Sequence, residues 1–425
     1  MRLGLAAGEL AVGGAVEGVR RMATSGPIDA RSVLLTVGNA ERLAARLARM
    51  RGAAMKLGQL LSLEGQDVFP PEFARALSVL RSSAAPMPPA QLHRVLGREY
   101  GASWRSRFER FDEEPIAAAS IGQVHRARAA GRDLALKIQY PGVARSITAD
   151  VDNVAALLRL IGLLPVQIDV DGIAAEAKRQ LAQEADYALE ARFLERYRRL
   201  VADEPRLVVP RVQRDLSTRH VLAMDYVEGV PLESLAAAGA SQELRNAVAE
   251  VFERLLFREL FEFRFMQTDP NFANYLWDPV RERIVLLDFG SVREFAPAFV
   301  EKYKRTVRAV MANDHEGVRR GAVDIGYLAA NAPAPAVHAA VDIIMLVCEP
   351  LRHRGRYDFG ASTLPARARD IGFDLAVRQG LLQPPPAETM FLHRKLAGSY
   401  FMLARLGARV DARALVTPFV TGGQT

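Results

Sequence analysis

The chain has 425 residues, 50% of them hydrophobic, and a formal net charge of +7. That length suits a two-lobed core with an extension, and a lone cysteine, Cys348, rules out an intrachain disulfide and fits a reducing compartment. The basic residues are mostly arginine and are spread through the chain rather than blocked with aromatics, so an anionic membrane surface is a better partner than nucleic acid. No Walker A loop and no zinc-type Cys/His spacing occurs, and the scattered histidines read as structural or surface residues.

Residues 1–30 read as a Gly/Ala-rich helix and linker. Gly4, Gly8, Ala11, Ala15 and Gly18 form one small-residue stripe, which permits close helix approach and leaves a homodimer open. Glu9 and Glu17 interrupt the apolar run, so a helix lying on the membrane surface is favoured over a single N-terminal span. Residues 31–100 read as a helical extension, broken at Phe69-Pro70-Pro71 and at Pro86–Pro89.

Residues 101–225 read as a smaller lobe. Its expected strands are Phe108–Phe111, Gly122–Ala127, Leu134–Gln139, Leu207–Val209 and His220–Met224, with helices near 146–162 and 171–202. Lys137 sits in the alternating strand Leu134–Gln139, like the strand lysine that holds nucleotide phosphates in kinases. Upstream, Ala117, Ala118, Ala119 and Ser120 stand where a kinase has its glycine loop. Alanine disfavours positive φ, so this loop should be stiffer than a glycine loop. Glu190 follows Lys137 by 53 residues on an acidic helix that also carries Glu184 and Asp186. That spacing exceeds what an ordinary kinase uses and implies an inserted helix. Tyr226 and Val227, in Asp225-Tyr226-Val227-Glu228-Gly229, resemble a kinase hinge.

Residues 226–425 read as a mostly helical larger lobe. The exception is QTDPNFANYLWDPVRERIVLLDFGS, the most informative stretch of the chain. Asp269 and Asn274 are five residues apart, the spacing of catalytic base and metal ligand in a kinase loop. Two apolar runs flank Asp278-Pro279, a hairpin signature that brings Asn274 and Asp288 of Asp288-Phe289-Gly290 to one mouth. Both would supply oxygen to one Mg²⁺. Gln267-Thr268 replaces the usual His-Arg before the aspartate, which sets the chain apart from ordinary protein kinases.

Four motifs together resemble the UbiB family of atypical kinase-like proteins, linked to ubiquinone (coenzyme Q) biosynthesis. They are Lys56-Leu57-Gly58-Gln59, the alanine-rich Ala117–Gln123, Glu184-Ala185-Asp186, and the Asp269/Asn274/Asp288 set. The resemblance implies an α+β, bilobal protein-kinase-like fold with a small β-sheet lobe, a mostly helical large lobe and an N-terminal helical extension covering the cleft. It implies that Lys56 and Gln59 reach the cleft, with Lys56 engaging Glu184 and Asp186. The expected cofactors are ATP or ADP and Mg²⁺. The expected activity is a Mg-dependent ATPase or small-molecule or lipid kinase supporting ubiquinone synthesis, on the cytoplasmic side and peripheral to the inner membrane. Expected partners are the nucleotide, anionic lipid, and quinone-pathway enzymes or lipid intermediates. The alternative is a nucleotide-sensing pseudokinase scaffold for lipid-modifying enzymes.

Overall fold

The computed structural model describes residues 86–119, 121–161, 170–237, 239–375, 381 and 386–422. The expected N-terminal helix, Lys56, Gln59 and Ser120 lie outside the described residues. Two compact units emerge. Of the described residues, the first takes in those up to Arg192 together with Arg211–Tyr226, and the second comprises Phe193–Pro210 and those from Val227 onward.

The first unit is built on a five-stranded antiparallel sheet. Its strands are β1 (Arg110–Phe111), β2 (Ala117–Ala118), β3 (Gly122–Ala129), β4 (Arg132–Gln139) and β6 (Val221–Asp225). The β3–β4 turn is Ala130-Gly131, with φ of 49° and 72°, the left-handed pair that matches strand twist in a two-residue hairpin. On β4 the side chains alternate. Leu134, Leu136 and Ile138 enter a core with Leu92 and Leu96 of helix α1 (Pro89–Tyr100), Trp104 and Phe108. Lys137 and Gln139 point to the opposite face, where both are also buried. The alanine segment is less of a loop than the sequence suggests. Ala117 and Ala118 are paired in β2, opposite Val124 and Gln123, and the Ala119 amide donates to the Gly122 carbonyl at 2.8 Å.

Helix α2 (Val143–Ile161) packs on α3 (Val170–Glu184) and is the inserted helix that the Lys137–Glu190 spacing implies. The single helix expected over 171–202 is two, because the chain breaks at Ala185-Asp186 before α4 (Tyr187–Leu200). The break has a clear cause. The Asp186 carboxylate caps α4 by accepting the Leu189 amide at 3.0 Å, and Gln139 donates to the freed Ala185 carbonyl at 2.9 Å.

In the second unit, β5 (Leu207–Val208), β10 (Arg283–Leu286), β9 (Tyr275–Asp278) and β7 (Val230–Pro231) form a four-stranded sheet in that order. The sequence reading groups Leu207–Val209 with the smaller lobe, but β5 pairs in parallel with β10. The β9–β10 hairpin has Tyr275 opposite Leu286 and Trp277 opposite Ile284. Asp278 closes it by accepting the Val280 and Arg281 amides, each at 3.1 Å. A second ribbon joins β8 (Phe265–Gln267) to β11 (Val292–Glu294).

Helix α5 (Gln242–Phe257) is capped by Ser241 and runs into a π-helical turn, Arg258–Phe263, that ends at Arg264 with φ 51°. The later helices are α6 (Pro297–Met311), α7 (His315–Ile325), α8 (Ala334–Val347), α9 (Glu349–Arg352), α10 (Leu364–Phe373), α11 (Ala387–Arg405) and α12 (Ala412–Thr421). The apolar faces of α6, α7, α9, α11 and α12 meet Leu256, Leu260 and Phe295 in one core, and α8 packs through Val341 and Met345 on Val310 of α6 and Val318 of α7. Among the described residues no helix is long and apolar enough to cross a membrane.

Candidate functional site

In the first unit the chemistry centres on β4 and the start of α4. Lys137 Nζ donates to both carboxylate oxygens of Glu190, at 2.8 and 3.0 Å. The two side chains are 9% and 0% exposed. An isolated buried ammonium is costly, and the bidentate contact with Glu190 offsets that cost. The Tyr187 ring adds its face, 5.2 Å from Nζ. Gly122 nearby has no room for a side chain. A Cβ there would lie 2.4 Å from the Ile138 carbonyl oxygen and 2.7 Å from the Tyr187 hydroxyl.

The remaining first-unit candidates have these surroundings. Ala117 and Ala118 are exposed on β2, and Ala119 is half-buried. Asp186, besides capping α4, has Arg219 Nε 3.8 Å from its second oxygen, and Glu184 closes α3. Tyr226 donates its amide to the Asp133 carbonyl at 2.9 Å and lies under the Arg126 guanidinium. Val227 belongs to the second unit.

In the second unit Asp269, Asn274 and Asp288 are all half-buried. Asn274 Nδ2 donates to the Asp269 carbonyl at 3.0 Å and approaches Asp269 Oδ2 at 3.4 Å. Its amide nitrogen is thereby engaged, and Oδ1 is the side chain's acceptor atom. The Leu287 amide donates to the Asn274 carbonyl at 3.0 Å, extending the hairpin ladder to the residue before Asp288. Asp288 Oδ1 accepts the Gly290 amide at 2.8 Å, and Phe289 is fully buried with its ring 4.6 Å from Tyr197.

Sequence reasoning misses the layer beneath this loop. Arg394 of α11 forms a hydrogen-bonded ion pair with Asp269. Four residues along the same helix, Gly398 meets the loop so closely that a Cβ would lie 2.1 Å from Pro270 Cγ. Lys395 Nζ donates to Gln267 Oε1 at 3.2 Å and pairs with Glu259 at 3.2 Å. Burial works to lower the Lys395 ammonium, but Glu259 and Tyr275 together outweigh it and hold the ammonium above the ordinary lysine value. No spacing rule links Asp269 to a helix 125 residues later. The signal is the pair Arg394-Lys395, directly after His393, in a largely apolar helical stretch, and such charges usually mark a solvated face.

A buried strand lysine paired to a helix glutamate, an Asp-x-x-x-x-Asn loop and an Asp-Phe-Gly after a hairpin define a kinase-like fold, here α+β with a small sheet-based unit and a large helical one. The family model of the ABC1 atypical kinase-like domain matches residues 79–322. The chain is 39% identical over 415 residues to atypical kinase COQ8B, mitochondrial, of Rattus norvegicus, covering 97% of this chain and 78% of that protein. It is 38% identical over 415 residues to atypical kinase COQ8, mitochondrial, of Saccharomyces cerevisiae, covering 97% and 82%. The solved structure of the Rv3197–erythromycin complex from Mycobacterium tuberculosis aligns with a TM-score of 0.64 at 26% identity, over 90% of this chain and 95% of that one. This chain therefore belongs to the ABC1, or UbiB, family of atypical kinase-like proteins, and its enzymatic class is phosphoryl transfer.

Proposed function

We propose that this chain is a Mg-dependent ATPase, or a small-molecule or lipid kinase, that supports ubiquinone synthesis from the cytoplasmic face of the inner membrane as a peripheral protein. One observation carries the reading: Lys137 and Glu190 are joined by two hydrogen bonds at 2.8 and 3.0 Å while nearly excluded from water. A buried lysine held charged and fixed in direction is what an incoming triphosphate requires. The relatives named as mitochondrial atypical kinases COQ8B and COQ8 support the quinone assignment.

The residues fit Mg²⁺ and a nucleotide. Among the described residues no cluster of three or more His, Cys, Asp or Glu could hold a metal. Mg²⁺ is typically held by one or two protein oxygens and completed by phosphates and water, so Asn274 Oδ1 and the Asp288 carboxylate are a sufficient protein share. When bound, the ion would neutralise charge on the phosphates. In this reading Asp269 orients the attacking group, Lys137 holds the nucleotide phosphates, and Ala117, Ala118, Ala119 and Ser120 border the nucleotide. Tyr226 and Val227 lie at its base end. Residues 101–225 and 226–425 act as the two kinase lobes, with 1–30 and 31–100 as the membrane helix and the extension. Lys56 and Gln59 of that extension engage Glu184 and Asp186. Partners are anionic lipid and quinone-pathway enzymes or lipid intermediates, and a homodimer is compatible with the small-residue stripe.

The test is a thermal-shift titration of the full chain with Mg-ATP, paired with phosphate release. Ligand at 100 times its Kd stabilises the folded state by about 2.7 kcal/mol, an easily read shift. Asp288→Asn should lose that shift, and Asp269→Asn should keep it while phosphate release falls. Equal stabilisation of wild type and Asp288→Asn would sink the metal assignment. Binding without turnover in wild type would favour the scaffold.

A further inference from the structure

We propose that the buried pair Lys395–Glu259 is a positioning device that holds the Asp269 loop and the Phe289 segment in register, acting through Gln267 and Tyr197. Glu259 is fully buried on the π-helical turn. Its Oε1 accepts the Tyr197 hydroxyl at 2.7 Å and the Gln267 amide at 2.9 Å. Tyr197 in turn packs on Phe289, with ring centroids 4.6 Å apart. One carboxylate thus touches the anchors of both loops. π-turns of this kind cluster at functional sites.

Lys395 supplies the direction. Gln267 Oε1 receives Lys395 Nζ at 3.2 Å and the Tyr275 hydroxyl at 3.4 Å. Two donors on that oxygen fix which way the amide faces, so Nε2 must point to the Asp269 carbonyl, which it reaches at 2.8 Å. The same carbonyl receives Asn274 at 3.0 Å. Loss of the ammonium would remove the stronger donor and let the amide turn over, presenting oxygen to the Asp269 carbonyl. The Lys395–Glu259 contact at 3.2 Å lies outside hydrogen-bond alignment, so it is an electrostatic clamp rather than a directed bond. Buried ion pairs seldom add net stability, and their best-attested use is to fix register. The Gly398–Pro270 contact sets α11 against the same loop, which keeps Lys395 at a defined depth.

The proposal rests on the phosphoryl-transfer reading for its effect on rate, but its structural half can be read independently. Two full-chain variants test it: Gln267→Glu, and Lys395→Met combined with Glu259→Gln, which removes both charges without leaving one unpaired. Each is followed by thermal midpoint, by phosphate-release kinetics, and by amide hydrogen exchange of peptides covering 265–275 and 283–294. The expected result is a midpoint near wild type, KM within threefold, kcat down 10- to 100-fold, and faster exchange in the 265–275 peptides. Unchanged exchange there overturns the proposal whatever the turnover. Wild-type kcat in both variants, despite faster exchange, also overturns it. Absent turnover in wild type refutes the activity reading instead, and exchange alone then decides the positioning claim.

Discussion

Replacing Gly398 by alanine should separate catalysis from stability. The new methyl would stand 2.1 Å from Pro270 Cγ and 2.6 Å from its Cβ, whereas ordinary contact begins near 3.4 Å. Helix α11 and the loop must part by about 1.3 Å to reach even that short limit, because the proline ring cannot rotate away. Overpacking of this kind costs about 1–3 kcal/mol. Replacing a helical glycine by alanine returns roughly 1 kcal/mol, so the net loss is about 0–2 kcal/mol. The loop carries Asp269 immediately before Pro270, and a displacement near 1 Å at a reacting group can cost about 100-fold in rate. Phosphate release should therefore fall far more than the melting temperature. Gly372→Ala on α10 is the control, since a Cβ there meets nothing within 4 Å. If Gly398→Ala matches Gly372→Ala in both turnover and melting temperature, the close approach of α11 to the loop is irrelevant to catalysis and the reasoning fails.

Two further outcomes follow from burial. Burial pushes the Glu253 carboxyl up to about 7 from its ordinary 4.5. Between those values the folded protein holds a proton that the unfolded chain has lost, so stability falls as pH rises, by about 1.4 kcal/mol per pH unit and about 3 kcal/mol in all. Denaturant titrations from pH 4.5 to 8 should show that slope in wild type and a flatter profile in Glu253→Gln; parallel profiles would contradict it. Gly122→Ala forces a methyl against the Ile138 carbonyl and the Tyr187 hydroxyl, so its denaturation midpoint should drop by several degrees, about 2 kcal/mol or more, while Gly97→Ala, in open space, should hold or gain.

Much of the fold was legible where period and turn chemistry agree. The β4 alternation, with Leu134, Leu136 and Ile138 on one face and Lys137 on the other, is a plain period-2 signal. The β9–β10 hairpin was marked by Asp278-Pro279 between two apolar runs. The break between α3 and α4 was hidden because Ala185-Asp186 carries no glycine or proline. Asp186 reads as one more helix carboxylate until its cap contact is seen. Arg394, Lys395 and Glu259 escaped for a related reason. Buried charges are recognisable only from their partners, and here each partner comes from a distant part of the chain. The π-helical turn that carries Glu259 has no composition signal separating it from α5.

The Phe289 side chain bears on which ligands the chain can accept. It is fully enclosed, and its neighbour Tyr197 is tethered to Glu259, which also receives the Gln267 amide. A compound that must evict this ring would expose an aromatic worth about 1.5–3 kcal/mol of burial and would strain the Tyr197–Glu259 hydrogen bond as well. Inhibitor chemistry built on an outward-swung phenylalanine is thus handicapped by about 10-fold or more in affinity before any contact is counted. Scaffolds that leave the ring in place carry no such handicap, and a screening collection for this protein should be weighted toward them.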